Sequence, residues 1–286
     1  EMESYVGAIP HFGFILSHLV AVHTDEGIIG YGEAENGLRD DFYKLRENLL
    51  GMDVYDVQHI MNRRINGYAD TIRNKAPHKS LLFTKDCAAI EFALWDIMGK
   101  KAGLPVYKLL GGKVREKNAI TLFVGQKAID HQLADIERAV SEGIKAIKVK
   151  VGSNDAHDMD LLKEIRRQFG WELIIRIDPN RAWTVTDGAR ILRRMADYSI
   201  QYIEGALRRI ESYGFKRLRE LCGIPICICE QFNGPYVMST EQALVRVQDL
   251  IRMEAFDVLS VDPSRTGGLL GFGKICAACE GIGAQV

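Results

Sequence analysis

The chain has 286 residues, 37 Lys plus Arg against 38 Asp plus Glu, a formal net charge of −1 and 47% apolar residues. That length and apolar content suffice for a large core and fit two domains, whereas near-neutrality argues against nucleic acid or another polyanion as partner. No run of 18 apolar residues and no signal-peptide pattern occurs, so no membrane association is expected, and the six cysteines (87, 222, 227, 229, 276 and 279) read as reduced residues of a cytoplasmic protein.

In chain order, Ile15 to His23 and Ile28 to Glu33 flank Asp25, Glu26 and Gly27, which is a hairpin signal. No strand is expected ahead of them from Glu1. Helical patterns follow over 40–50 and 54–65. A further helix is predicted from Thr84 to Lys101, with two lysines in its last turn and then Gly103 and Pro105 as the stop. Leu104 to Lys117 reads as a bridge. Beyond it, GIKAIKVKVG is a strand, and Asp158 to Phe169, closed by Gly170, is an amphipathic helix through Leu161, Leu162, Ile165 and Phe169. Thr184 with Asp187 resembles a capping box that opens a helix to Tyr198.

Three carboxylates punctuate this second part at one interval: Asp178 in IIRIDPN, Glu204 in IQYIEGA and Glu230 in PICICEQ, 26 residues apart each time (178 to 204, 204 to 230). Each acid ends a short Ile-rich run, the composition of a strand buried on both faces. With helices between them, the runs become parallel strands joined by right-handed crossovers, which bring their C-terminal ends to one edge. Three converging carboxylates repel one another unless a cation lies between them, and hard oxygen donors without Cys or His suit Mg2+, with Mn2+ as a substitute. Lys148 and Lys150, two apart on the preceding strand, share a face and reach the same edge. Asp262 ends one more apolar run in FDVLSVDPSRTGG.

The ordered motifs KVK (Lys148 to Lys150), DPN (Asp178 to Asn180), IE (Ile203, Glu204), CE (Cys229, Glu230) and DPSRTGG (Asp262 to Gly268) resemble the enolase superfamily, in its mandelate racemase and muconate lactonizing enzyme branch. TDEGIIGYGEA (Thr24 to Ala34) and IEFALWDIMGKKAGLPVYKLLGG (Ile90 to Gly112) resemble that branch's capping domain and its junction with the barrel, so the likeness covers nearly the whole chain. It implies an α/β protein: an N-terminal α+β capping domain over 1–110 and a (β/α) TIM-type barrel over 117–286. It also implies that Asp178, Glu204 and Glu230 bind Mg2+ and that Lys150, with Lys148 beside it, abstracts a proton. Asp262 lies five residues before the glycine pair Gly267-Gly268, where mandelate racemase-like members carry the Asp of an Asp-His dyad and cycloisomerase-like members carry a lysine. Asn180 and His11 are expected at the substrate, and a homo-oligomer with an even number of subunits is expected from the family's habit.

Two departures stand out. Where relatives read EQP, this chain reads Glu204, Gly205, Ala206, so a looser loop is expected after the ligand, because proline's restraint on φ is lost. A complete barrel takes about 250 residues, whereas 118 to 286 holds about six strand and helix units and the start of a seventh (GIGAQV). The barrel is therefore expected to be incomplete in this chain, truncated near strand 7 and before the histidine partner of Asp262.

Each signal has a plainer competitor. A single strand-end acid is more often an ion-pair partner, and Asp262 before Pro263 also suits a turn. Cys276 and Cys279 sit in an Ala-rich helix and read as packing. Taken together, the groups support removal of the proton α to a small-molecule carboxylate through an enediolate, with the cation as Lewis acid. The outcome expected is dehydration of a sugar acid. Racemisation or epimerisation and a muconate-type cycloisomerisation are the alternatives, and a non-catalytic metal or sugar-acid binding protein is the alternative of another class.

Overall fold

The structure is a computed structural model and describes residues 2–9, 15–35, 46–61, 83–208, 212–229, 232 and 240–286. It divides into two compact units: Glu1–Val114 with Phe232–Val245 and Val261–Ala277, and Arg115–Gln231 with Arg246–Ser260 and Ala278–Val286.

The first unit is built on an antiparallel sheet in the order β1 (Met2–Ile9), β2 (Ile15–His23), β3 (Ile29–Glu35). β1 corrects the expectation that no strand precedes the hairpin: Met2 pairs with Val22 and Ile9 with Ile15. Its alternation of polar and apolar residues is weak, and pairing with β2 defines it. Helix α1 (Phe83–Ala102) packs on β3, and the spacing of GIIGYGEA explains how. A side chain at Gly30 or Gly32 would overlap the backbone carbonyl of Ala93 or Ala89, so only glycine at both positions lets the helix lie this close. Val20, Val57, Ile60, Ile90, Leu94 and Met98 form the core beneath. After Gly103, φ +64, a short helix α2 (Val106–Leu109) occupies part of the expected bridge. Of the helices expected over 40–50 and 54–65, residues 46–49 and Val57–His59 are helical, and the remainder falls largely outside the described residues.

The second unit carries a six-stranded parallel sheet in chain order: β4 (Thr121–Val124), β5 (Ala146–Lys150), β6 (Ile174–Asp178), β7 (Ile200–Glu204), β8 (Ile226–Ile228) and β9 (Val258–Leu259). Sequential order with helical crossovers is the (β/α)-barrel arrangement, formed here by α3 (Ile129–Ser141), α4 (Asp155–Phe169), α5 (Val185–Met195), α6 (Ser212–Cys222) and α7 (Thr240–Arg252). A parallel bridge from Val258 to Gln285 begins a seventh strand, after α8 (Leu269–Glu280). Burial of Leu161, Leu162 and Ile165 at 0% exposure shows that α4 packs by its expected apolar stripe. It starts three residues earlier than expected, because the Asn154 side chain accepts from the N–H groups of Ala156 and His157. The Thr184 hydroxyl likewise accepts from Asp187 N at 3.1 Å and opens α5 as predicted.

Among the described residues, no helix is long and apolar enough to cross a membrane. None of the six cysteines forms a disulfide.

Candidate active site

Register places the charged residues. β5 pairs with β6 so that Lys148 faces Arg176 and Lys150 faces Asp178, and β6 pairs with β7 through Ile177 and Ile203, one residue before both acids. Lys150, Asp178 and Glu204 therefore end neighbouring strands at one edge. Lys148 Nζ donates to both carboxylate oxygens of Glu204 at 2.9 Å, and Lys150 Nζ donates to Asp178 Oδ2 at 2.5 Å. Asp178 and Glu204 are 4% and 6% exposed and Lys148 is 8% exposed, so these charges are compensated within the protein rather than by water. The Lys148 ammonium also lies 4.3 Å from the centre of the Phe123 ring. The side chain of Lys150 remains one-third exposed, which keeps this ammonium accessible from outside.

The loops after these strands are shaped by local hydrogen bonds. Asp178 Oδ1 accepts from Asn180 N at 2.8 Å, and Asn180 and Arg181 both take left-handed backbone conformations, φ 47 and φ 64. Two consecutive non-glycine residues in that region represent stored backbone strain beside the acids. The Glu204-Gly205-Ala206 loop is tied down, contrary to the looser loop expected: Arg181 N donates to Gly205 O at 2.7 Å, Gly205 N to Cys227 O at 3.3 Å and Trp183 N to Ala206 O at 3.3 Å. Gly205 sits at φ 58, and Ala206 is fully buried. Backbone bonding thus does here what proline's ring would otherwise do.

The turn after Lys150 is held from the next helix. Asp158, 2% exposed, accepts from Gly152 N at 2.6 Å, and burial pushes its carboxyl up from the ordinary range while the Gly152 amide opposes that shift. At Gly152, φ +94, an added Cβ would come within 2.8 Å of the Ala182 Cβ, so the turn after Lys150 packs directly on the loop after Asp178. Asp158 was expected only as the start of a helix. Nothing in its local sequence distinguishes it from a solvated acid.

Of the expected site residues, the structure brings Lys148, Lys150, Asp178 and Glu204 together, with Asn180 in the loop beside them. Glu230 and His11 lie outside the described residues. Asp262 belongs to the first compact unit. It caps the 3-10 turn Pro263–Thr266, its Oδ1 accepting from Ser264 N at 2.8 Å. Among the described residues no three His, Cys, Asp or Glu side chains gather as a metal-binding group, since Asp178 and Glu204 are two of the expected three. Their donor chemistry fits a hard divalent cation: both are buried, anionic and oxygen-only, and each already holds a cationic group.

A parallel (β/α) sheet with buried acids and lysines at its C-terminal edge, in a chain that also carries an α+β unit, is the make-up of a (β/α)-barrel enzyme with a second domain. The chain belongs to the enolase superfamily, in its mandelate racemase and muconate lactonizing enzyme family: residues 132–286 match "Enolase C-terminal domain-like" and residues 16–111 match "Mandelate racemase / muconate lactonizing enzyme, N-terminal domain". Members similar to it are enzymes of the lyase and isomerase classes. It is 28% identical over 280 residues to the hydrophobic dipeptide epimerase of Enterococcus faecalis, covering 94% of this chain and 73% of that one. It is also 28% identical over 282 residues to the L-Ala-D/L-Glu epimerase of Clostridium acetobutylicum, covering 93% and 72%. Among solved structures, the L-talarate dehydratase of Polaromonas sp. JS666, complexed with Mg and L-glucarate, superposes with a TM-score of 0.80 at 25% identity, covering 99% of this chain and 77% of that one.

Proposed function

We propose that this enzyme removes the proton α to a carboxylate with Lys150 as the base, using Mg2+ held by Asp178, Glu204 and Glu230, and that dehydration of a sugar acid is the outcome. The observation that carries this reading is the pair of contacts Lys150–Asp178 and Lys148–Glu204 at one strand edge. It puts a partly exposed amine beside two buried acids, the combination that proton abstraction next to a bound carboxylate requires. When bound, Mg2+ supplies Lewis-acid stabilisation of the negative charge that develops on the substrate carboxylate. The chain's own residues do the rest. Lys150 takes the proton in its neutral form, Lys148 stays paired with Glu204 and adds positive charge near the substrate carboxylate, and Asn180 lines the mouth. The domains proposed are the capping domain over 1–110 and the barrel over 117–286.

Asp262 supports dehydration over a lysine-pair reaction, because the position five residues before Gly267 carries an acid. A carboxyl group within reach of a bound substrate would be able to protonate a departing β-hydroxyl. Epimerisation is the second reading, favoured by the two epimerases at 28% identity.

The test is incubation with Mg2+ in D2O with L-glucarate, further sugar acids and an Ala-Glu dipeptide, followed by NMR, with Lys150→Ala alongside. Loss of the β-hydroxyl from a sugar acid, absent in Lys150→Ala, supports dehydration. Exchange and inversion of the dipeptide alone moves the assignment to epimerase. Absence of exchange across the panel with Mg2+ bound refutes the base assignment.

A further inference from the structure

Glu91 is a fully buried carboxylate in the middle of α1, in a helix whose neighbouring residues Ala88, Ala89, Ile90 and Ala93 are packed apolar side chains. Isolated, such a charge is costly. It is instead surrounded by donors: Trp95 Nε1 donates to Oε1 at 2.8 Å, Leu270 N to Oε1 at 3.0 Å and Leu269 N to Oε2 at 2.9 Å. Leu269 and Leu270 are the first residues of the twelve-residue helix α8, so the carboxylate accepts from the backbone N–H groups that the helix leaves unbonded, at the positive end of its dipole. Burial pushes the Glu91 carboxyl up, and these three donors oppose the rise.

The contact reaches the Asp262 turn through a short rigid path. Gly268 sits at φ +109, and an added Cβ there would overlap Glu91 Oε2. Gly267 sits at φ +82, where an added Cβ would come within 2.6 Å of Thr240 Oγ1. Gly268 N donates to Pro263 O and Arg265 N to Asp262 O, both at 2.9 Å, while Thr240 Oγ1 donates to Thr266 O at 2.9 Å. Thr266 Oγ1 also donates to Pro263 O at 3.0 Å, so Thr240 and Gly268 both bear on the turn that Asp262 opens, while Asp262 itself is bonded within that turn to the N–H groups of Ser264 and Arg265. The glycine pair, read from the sequence as a motif, is the place where the turn is pressed against this acid.

We infer that Glu91 is a positioning residue for Asp262: by gripping the start of α8 against the glycine pair, the capping helix sets where the Asp262 carboxyl stands. The inference rests on the reading above only for the role of Asp262; the mechanical link stands on its own contacts. Three N–H groups share two oxygens, so Glu91→Gln turns an amide NH2 against at least one of them. Glu91→Asp keeps both oxygens on a shorter arm.

The test has two arms on the full chain. Hydrogen–deuterium exchange should be about tenfold faster at 262–271 in Glu91→Gln, the factor that corresponds to one lost hydrogen bond, with 146–204 unchanged; Glu91→Asp should fall between, and Gly268→Ala should reproduce the pattern from the opposite side. Unchanged local exchange in folded Glu91→Gln, or a rise spread evenly over the chain, overturns the inference. In the second arm, with L-glucarate or whichever sugar acid turns over, kcat should drop with KM little changed. Glu91→Gln combined with Asp262→Asn should be no worse than Asp262→Asn alone, whereas fully additive losses overturn the link. If wild type turns over nothing, the functional reading has failed, and the exchange arm still decides the fate of Glu91.

Discussion

The two ends of the parallel sheet are built on opposite terms. At the N-terminal end, Arg166 is 7% exposed and gives four hydrogen bonds to the carbonyls of Tyr198, Gly170, Leu173 and Ser199, at 2.7 to 3.1 Å. In the same unit, Arg219 donates twice to Asp257 Oδ1, and Asp257 Oδ2 accepts from Ile226 N at 2.9 Å. These are closed networks in which arginine's planar donors match fixed acceptors. At the C-terminal end the strand-end acids Asp178 and Glu204 are each paired with a lysine, beside loops that carry left-handed Asn180 and Arg181. Arginine staples the N-terminal edge, and lysine pairs with the strand-end acids at the edge where we propose that the substrate binds. The division follows the general rule that the strand C-termini carry chemistry and the N-termini stability.

The largest effect that separates the two edges should come from Lys150→Arg, which keeps a cation on the buried Asp178 but cannot act as a neutral base. Loss of a general base costs about 10³-fold in rate, roughly 4 kcal/mol of barrier, while the urea midpoint should stay near wild type. Equal losses of stability and rate would erase the distinction between the edges. Arg166→Ala is the mirror test. It strands several buried carbonyls, so it should destabilise by about 3 kcal/mol, with kcat/KM per folded molecule unchanged; an activity defect in the folded fraction would show that the lower edge reaches the chemistry.

The smallest effect lies between the edges, at Tyr202. Burial pushes its phenol up to about 12, with Cys227 next in the same direction, and Arg176, 5.0 Å from the ring centre, pulls the other way. Below pH 10 the phenol is protonated in both folded and unfolded chains, so it contributes nothing. Between pH 10 and about 12 the unfolded chain releases the proton first, and stability falls. The gap in urea midpoint between wild type and Tyr202→Phe should therefore shift against wild type from pH 9 to pH 11. A gap that does not move with pH would mean that the phenol is not held in its neutral form.

How much of this was readable from the sequence depends on how far away each residue's partner lies. The two-residue spacing of Lys148 and Lys150 and the regular interval of the acids follow from strand alternation and from the length of a strand and helix unit, which are local properties. Gly30 and Gly32 showed as a motif, although the reason for them, the carbonyls of Ala89 and Ala93, lies in another element. Glu91, Asp158 and Arg166 look like ordinary charged positions on helices. Their partners are supplied by residues that no periodicity connects to them. β1 was missed for the same reason, because its strand character resides in its pairing with β2.

The bond from Leu269 N to Glu91 joins residues 178 apart in the chain, across the whole of the segment that forms most of the parallel sheet. During synthesis, α1 emerges long before its partner. The first unit therefore cannot be completed until nearly all of the second has been made, and the turn that holds Asp262 is among the last pieces to find its place. A chain that stops before Gly267 lacks the N–H groups of Leu269 and Leu270 that bond Glu91, so the grip on that turn is missing from it. Order of assembly thus leaves the turn at Asp262 waiting on a helix made nearly two hundred residues earlier.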